Sequence, residues 1–158
     1  MLYRLYMPED FAALYAIEEV CFQPPLRFSR AYMRQLIGQT NAVTWIAEDG
    51  ARVCGFGLVE WTLEDTQLAA YIQTIEVIPE ARGQGVGEEL MRHMESSAHA
   101  AGARSIWLHV DVRNAAAIRL YERHGYQHSG RQEGYYGRGA AALIYNKALL
   151  PASPSQPL

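Results

Sequence analysis

Residues 71–91, Tyr-Ile-Gln-Thr-Ile-Glu-Val-Ile-Pro-Glu-Ala-Arg-Gly-Gln-Gly-Val-Gly-Glu-Glu-Leu-Met, constrain this chain more than any other stretch. Ile72, Thr74, Ile75, Val77 and Ile78 form a β-branched run that Pro79 stops, which predicts a strand. Val86, Leu90, Met94 and Ala98 then recur at helical spacing. Between strand and helix lies Arg82-Gly83-Gln84-Gly85-Val86-Gly87. Alternate glycines strip the helix start of side chains and let its backbone take angles that other residues avoid. The first N–H groups of a helix lack internal partners and sit at the positive end of its dipole. Such a turn is suited to cradling a phosphate or pyrophosphate.

Three specific readings of the loop can be weighed. A glycine-rich loop without any ligand would cost helix stability for no return. A Walker A loop is excluded because no Lys-Ser/Thr pair follows. A dinucleotide fingerprint finds Gly83, Gly85 and a downstream Asp111, but its third glycine falls one position early, at Gly87.

The rest of the chain sets the context. Residues 2–6 alternate as a short strand, and Met7-Pro8-Glu9-Asp10 opens a helix. Phe11, Leu14, Ile17, Glu18 and Cys21 make its stripe, and Gln23-Pro24-Pro25 ends it. Ser29 caps a second helix through about Ile37. Strands follow at 43–48, 52–61 and about 68–78. After the helix of about 86–101 come a strand at 104–112, a helix at 115–124 capped by Asn114, and strands at 126–131 and 140–149. The order β-α-α-β-β-β-α-β-α-β-β predicts a single-domain mixed α/β sheet flanked by helices over residues 1–150, with a Pro/Ser-rich disordered tail at 151–158. A doubly wound dinucleotide fold begins with its glycine loop, whereas here three adjacent strands precede it.

Composition narrows the partners. A net charge of −3 argues against a broad nucleic-acid-binding surface. No apolar run is long enough to span a membrane, and the N-terminus lacks a signal peptide's apolar segment, so the expected location is the cytoplasm. Cys21 and Cys54 have no CxxC spacing and read as free thiols. His93, His99, His124 and His128 form no ligand pattern and no HExxH motif occurs, so no metal is expected.

The loop Arg82–Gly87 satisfies Q/R-x-x-G-x-G/A. Set between a strand ending Val-Ile-Pro and an amphipathic helix, it resembles the acetyl-coenzyme A loop of the GNAT acetyltransferases. Asn114-Ala-Ala-Ala-Ile-Arg-Leu-Tyr-Glu-Arg-His-Gly-Tyr126 is similar to the N-x-x-A-x-x-L-Y-E-x-x-G-F segment after the fifth strand of many GNAT enzymes. Arg4 with Pro8-Glu9-Asp10 resembles their usual opening, and the resemblance covers nearly all of residues 2–149. Within the superfamily the layout is most similar to the protein N-terminal acetyltransferases, through Phe22-Gln-Pro-Pro, Trp107-Leu-His-Val and Gly134-Tyr135-Tyr136. Two positions depart from that pattern. His109 stands where a glutamate base is expected, and Ala140-Ala141 replace an acidic pair before the last strand.

The resemblance implies an N-acetyltransferase that moves an acetyl group from acetyl-CoA to a primary amine by direct attack in a ternary complex. The acceptor would be a protein or peptide N-terminal amine, with a small-molecule amine as the alternative. A non-catalytic acyl-coenzyme A-binding module on the same fold is the other reading, since fold alone does not decide function. The resemblance places the co-substrate on Arg82, Gly83, Gln84, Gly85, Val86, Gly87, Asn114 and Tyr121. It also implies that the Ile75-Glu76-Val77 backbone pairs with the pantetheine arm and that the Val77 N–H faces the thioester oxygen.

The chemistry needs an acid for the departing thiolate and a base for the amine. Tyr121 is the candidate acid, because a phenol of pKa ~10 holds a proton it can share with a thiolate of conjugate pKa ~8.5. The competing reading is a core tyrosine beside Ala117 and Leu120. His109 and Glu76 are both candidate bases, the first through its intrinsic pKa and the second if burial raises its own; water alone is the third possibility. Tyr135 and Tyr136, in a glycine-flanked loop, are candidates to wall the acceptor site. Monomer and dimer both remain open.

Overall fold

The computed structural model describes residues 1–137 and 139–149, so the tail expected at 151–158 lies outside the described residues. The elements run β1 (Leu2–Leu5), α1 (Phe11–Cys21), α2 (Arg30–Ile37), β2 (Ala42–Asp49), β3 (Arg52–Glu64), β4 (Gln67–Val77), α3 (Val86–Ala100), β5 (Ala103–Asp111), α4 (Ala115–Arg123), β6 (Gln127–Gln132) and β7 (Ala142–Ala148). Short 3-10 turns at Pro8–Asp10 and Pro79–Ala81 lead into α1 and into the glycine loop. This is the order expected from sequence. The last strand starts at Ala142, later than expected, because the Ala140 carbonyl is taken by the Tyr136 N–H (3.0 Å).

All seven strands join one sheet in the order β1-β2-β3-β4-β5-β7-β6. Every neighbouring pair is antiparallel except β4 and β5. Helix α3 is the crossover that a parallel pair requires. The register defines two faces. Ile46, Phe56 and Leu58 face α1 and α2, where Phe11, Leu14, Met33 and Leu36 are buried with them. Trp45 faces α3 and donates from its indole N–H to the Ser97 hydroxyl at 2.9 Å. Val59, Ala70, Ile72, Ile106, Leu108 and Val110 also pack with α3 residues Met91, Met94 and Ala98.

The first helix is locked onto the sheet by charge. Arg4 makes a two-pronged bond to the Asp10 carboxylate, 2.8 Å on each prong, and its Nε reaches Glu48 at 3.0 Å. Asp10 also accepts the Met7 N–H at 2.7 Å. The Arg4 guanidinium holds the Asp10 carboxyl below the usual carboxylate range. Such bidentate, charge-assisted pairs fix orientation as well as adding energy.

A bulge in β4 rearranges one face of the sheet. Leu58 pairs with Thr74 and Val59 with Ile72, so Gln73 has no opposite residue. Strict alternation would put Tyr71 on the opposite face from Thr74 and Glu76; the extra residue brings all three to the α1/α2 side. Its parallel neighbour Trp107 shares that side, as do His109 and Asp111.

No helix among the described residues is long and apolar enough to cross a membrane. Gly55 sits where β3 crosses closest to β4: a Cβ there would come 2.7 Å from the Glu76 carbonyl oxygen. At Gly57 the clash is with the flexible end of Met94. Overpacking costs about 1–3 kcal/mol when backbone must move, so Gly55→Ala is expected to lower stability by that much and Gly57→Ala by clearly less. Urea unfolding curves of the two variants check this ordering.

Candidate active site

The site begins where a strand pair ends. β4 and β5 are paired only from Leu68/Ala103 to Tyr71/Trp107. Beyond that point β5 follows β7 while β4 follows β3, and the two strands part. The Ile78 N–H donates to the Cys54 carbonyl at 2.9 Å, so the alternation of an antiparallel ladder turns the N–H and C=O of Val77 and Ile75 away from β3, into the gap. These are strand-edge groups that an extended ligand can pair with.

Two cavities flank the gap. One, of about 730 Å³, lies between the α1–α2 loop and the β6–β7 loop and is lined by Phe22, Phe28, Tyr71, His109, Tyr135 and Tyr136 among others. The second, of about 630 Å³, is bounded by the glycine loop, α3 and α4. Cys21, Phe22, Ile75, Asn114, Ala117 and Tyr121 line both, so the cavities meet across the gap.

The glycine loop has the conformation its sequence suggested. Gly83 and Gly85 have φ values of +76° and +83°, and Gly85 is the cap residue of α3. Nothing lies within 4 Å of a Cβ built at either position. The positive φ demands glycine, while the open space is on the cavity side. Among the described residues, the N–H groups of 83–88 find no backbone carbonyl partner. Arg82 closes the turn: its Nε donates to the Val77 carbonyl at 2.9 Å, and its Nη2 lies 3.5 Å from the Cys21 sulfur. Gln84 reaches back to the Glu80 carbonyl at 3.3 Å. Val86 is buried, and Gly87 faces Leu120 of α4, where even an added Cβ would be in ordinary contact.

Asn114 caps α4, its Oδ1 accepting the Ala117 N–H at 3.2 Å. Two turns on, Tyr121 is buried at the junction of the cavities. Burial pushes its hydroxyl up to about 12, and among the described residues that hydroxyl has no hydrogen-bond partner. A protonated, uncommitted O–H at the junction is a proton donor awaiting an acceptor.

His109 is held by three residues. Its Nε2 lies 3.1 Å from Gln132 Oε1, an acceptor, which assigns the ring proton to Nε2. Nδ1 then accepts from the Tyr71 hydroxyl at 2.8 Å. Tyr135 stacks on the imidazole at 4.0 Å with the planes 9° apart, and its hydroxyl lies 3.2 Å from that of Tyr71. Tyr136 packs edge-on against Tyr135 at 4.8 Å. Burial lowers the His109 pKa below its ordinary value, only partly offset by Gln132. The ring is therefore neutral at pH 7, with Tyr71 as its route to the cavity.

Glu76 lies elsewhere. It is 2 % exposed, under α1, with Oε2 accepting the Thr74 hydroxyl at 2.7 Å. Burial and the adjacent Glu18 carboxyl hold its pKa well above the usual carboxylate range. The structure thus brings His109, Tyr135 and Tyr136 together on one cavity, and the loop 82–87 on the other. Asn114 and Tyr121 join the two, and Glu76 is set beneath the gap. Tyr71 and Gln132 escaped sequence reasoning. Tyr71 reaches His109 only because of the bulge at Gln73, which leaves no local signature. Glu18 did leave a signal: a carboxylate inside an apolar helical stripe. Among the described residues no group of three or more His, Cys, Asp or Glu side chains is placed to hold a metal ion.

Comparison with known proteins gives the family. The acetyltransferase (GNAT) family model matches residues 11–126. A putative ribosomal-protein bS18-alanine N-acetyltransferase of Bacillus subtilis is 34% identical over 139 residues, 86% of this chain and 87% of that protein. Streptothricin acetyltransferase of Streptomyces lavendulae is 38% identical over 84 residues; the match spans 53% of this chain but only 43% of that relative's length. Among solved structures, Arabidopsis thaliana NAA60 in complex with acetyl-CoA superimposes with a TM-score of 0.83 at 21% identity, covering 94% of this chain and 98% of that one. The chain belongs to the GNAT family of acetyltransferases.

Proposed function

We propose that this protein transfers the acetyl group of acetyl-CoA to the α-amine of a protein or peptide N-terminus, by direct attack while both substrates are bound. The carrying observation is the junction of the two cavities: a phosphate-type cradle with an open strand edge on one side, an aromatic-walled cavity on the other, and Tyr121 between them. The unpaired N–H groups of 83–88 suit a pyrophosphate, and the outward groups of Ile75 and Val77 suit an amide-bearing arm such as pantetheine. When bound, acetyl-CoA supplies an activated acyl group, a thioester open to attack by an amine.

The chain's own residues then divide the proton work. Tyr71 takes the proton of the attacking amine at its Oη and passes its own to His109 Nδ1, while Nε2–H stays on Gln132. Tyr135 keeps the imidazole plane fixed by stacking. Tyr121, protonated throughout the neutral range, donates a hydrogen bond from its hydroxyl to the departing sulfur and shares its proton with the thiolate, which leaves as the thiol with a proton from solvent. The outward Val77 N–H is the candidate donor for the developing oxyanion. In this reading Glu76 is not the base, since its carboxyl is turned under α1 and engaged by Thr74.

A peptide acceptor fits a cavity that opens between two chain loops and carries Phe22, Phe28, Tyr135 and Tyr136 on its walls. The Bacillus subtilis relative, which by its name acts on a ribosomal-protein alanine, supports this reading. The partial match to an acetyltransferase named for streptothricin supports a small-molecule amine as the second reading. Thiol release measured against N-terminal peptides and a panel of polyamines and aminoglycosides separates them. Peptides are expected to turn over best, and turnover of small amines alone overturns the preference.

Tyr121→Phe keeps the ring and removes the hydroxyl. General acid–base assistance is typically worth ~10²–10⁴-fold, so kcat should fall by that order with the acetyl-CoA Kd little changed. A fall below about tenfold would remove Tyr121 from the acid role.

His109 must be neutral to accept a proton, so the rate should climb as pH rises through its pKa. Burial sets that pKa below the ordinary histidine value. His109→Gln cannot titrate in this range, and the acidic limb of its kcat profile should vanish or move. An unchanged limb assigns it to another group.

A further inference from the structure

Two buried carboxyls under the gap are unused by this chemistry. Glu18, on α1, is fully buried. Its Oε2 accepts the Phe28 N–H at 3.0 Å. Tyr15, one turn earlier on α1, donates to the Phe28 carbonyl at 2.8 Å. Both polar backbone groups of Phe28 are therefore pinned by one helix, and Phe28 lines the aromatic cavity. On β4, Glu76 takes the Thr74 hydroxyl on Oε2. The remaining oxygens, Glu18 Oε1 and Glu76 Oε1, are both buried with no N–H or O–H donor among the described residues. Glu76 faces the α1/α2 side of the sheet, and the Glu18 carboxyl of α1 is the neighbour that, after burial, holds its pKa above the ordinary carboxylate range.

Two carboxylates in this position would each bury an uncompensated lone pair and repel one another. One proton between the Oε1 atoms removes both costs. We propose that Glu18 and Glu76 share a single proton and act as one positioning unit that fixes the acceptor-lining loop against β4. The chain of bonds runs from the Thr74 hydroxyl to Glu76, through the shared proton to Glu18, and on to the Phe28 N–H. It joins the strand whose edge faces the gap to the loop that walls the acceptor cavity. The role in acceptor binding rests on reading that cavity as the acceptor site; the shared proton does not.

The ionisable and charged groups around the pair are few. Cys21 lies on α1, and Arg82 reaches in from the glycine loop but is committed to the Val77 carbonyl and the Cys21 sulfur. Burial and Glu18 raise the pKa of Glu76 in the folded state. A raised carboxyl stabilises the fold while it stays protonated, and that contribution is lost as pH climbs through the folded-state pKa. Stability should therefore fall as pH rises from the ordinary carboxylate range up to the folded-state pKa, and the loop contact should loosen as that pKa is passed.

The test combines a titration with a matched pair of variants. In the full-length chain with ¹³C-labelled glutamate, one carboxyl should titrate well above the ordinary range, and Glu76→Gln should abolish that signal. The amide introduced by Glu76→Gln can still donate an N–H to Glu18 and accept from Thr74, whereas Glu76→Ala leaves Glu18 buried alone. An unpaired buried acceptor is costly, so Glu76→Ala should raise the acceptor KM by about tenfold or more with the acetyl-CoA Kd within about threefold of the parent. Glu76→Gln should keep the acceptor KM near the parent value and flatten that fall in stability. If Glu76→Ala does not fold, the parent titration and the Glu76→Gln variant still decide. Ordinary titration of both carboxyls, or an acceptor KM no better in Glu76→Gln than in Glu76→Ala, overturns the proposal. Absence of turnover with every amine would instead sink the acceptor reading while leaving the titration to judge the pair.

Discussion

Everything functional here depends on one sheet interaction that stops early. β4 and β5 pair for four rungs and then part, and each is carried away by its other neighbour. A sheet with complete pairing would bury all its backbone groups and offer no inner edge. The parting turns the N–H groups of Ile75 and Val77 and the Ile75 carbonyl toward the gap, while the Val77 carbonyl accepts from Arg82. It also connects two cavities that would otherwise lie on opposite faces of a continuous sheet.

Burial favours the neutral form on both sides of the junction. Tyr121 is driven up and His109 down by the same cause, loss of water, which penalises the phenolate and the imidazolium alike. The proposed acid and base roles rest on that. The two acidic residues in the first turn of α3 are both paired: Glu88 with Arg123 of α4 at 2.7 Å, and Glu89 with Arg92 one turn on. Each pairing offsets a negative charge near the glycine loop.

Much of this was legible in the chain because local chemistry has local causes. The strand, the positive-φ glycines and the start of α3 are written in residues 71–91, and Asn114 announces the cap of α4. The residues of β5 alternate, Trp107, His109 and Asp111 against Ile106, Leu108 and Val110, and the structure buries the second set against α3. Glu76 shows the limit of such reading. Its strand position was clear, but whether its carboxyl met substrate or another carboxyl depended on α1, which lies far earlier in the sequence.

By itself, then, the sequence determined the order of elements, the glycine turn into α3 and the cap of α4, because periodicity, glycine and capping act over a few residues. Tertiary structure alone decided the partners. The Gln73 bulge turned Tyr71 toward His109, a pairing across 38 positions. Packing of α1 brought the Glu18 carboxylate onto the Phe28 N–H, and the early end of the β4–β5 ladder opened the gap. These are contacts between distant segments whose register and separation no short-range pattern encodes, and they are where the site acquires its geometry.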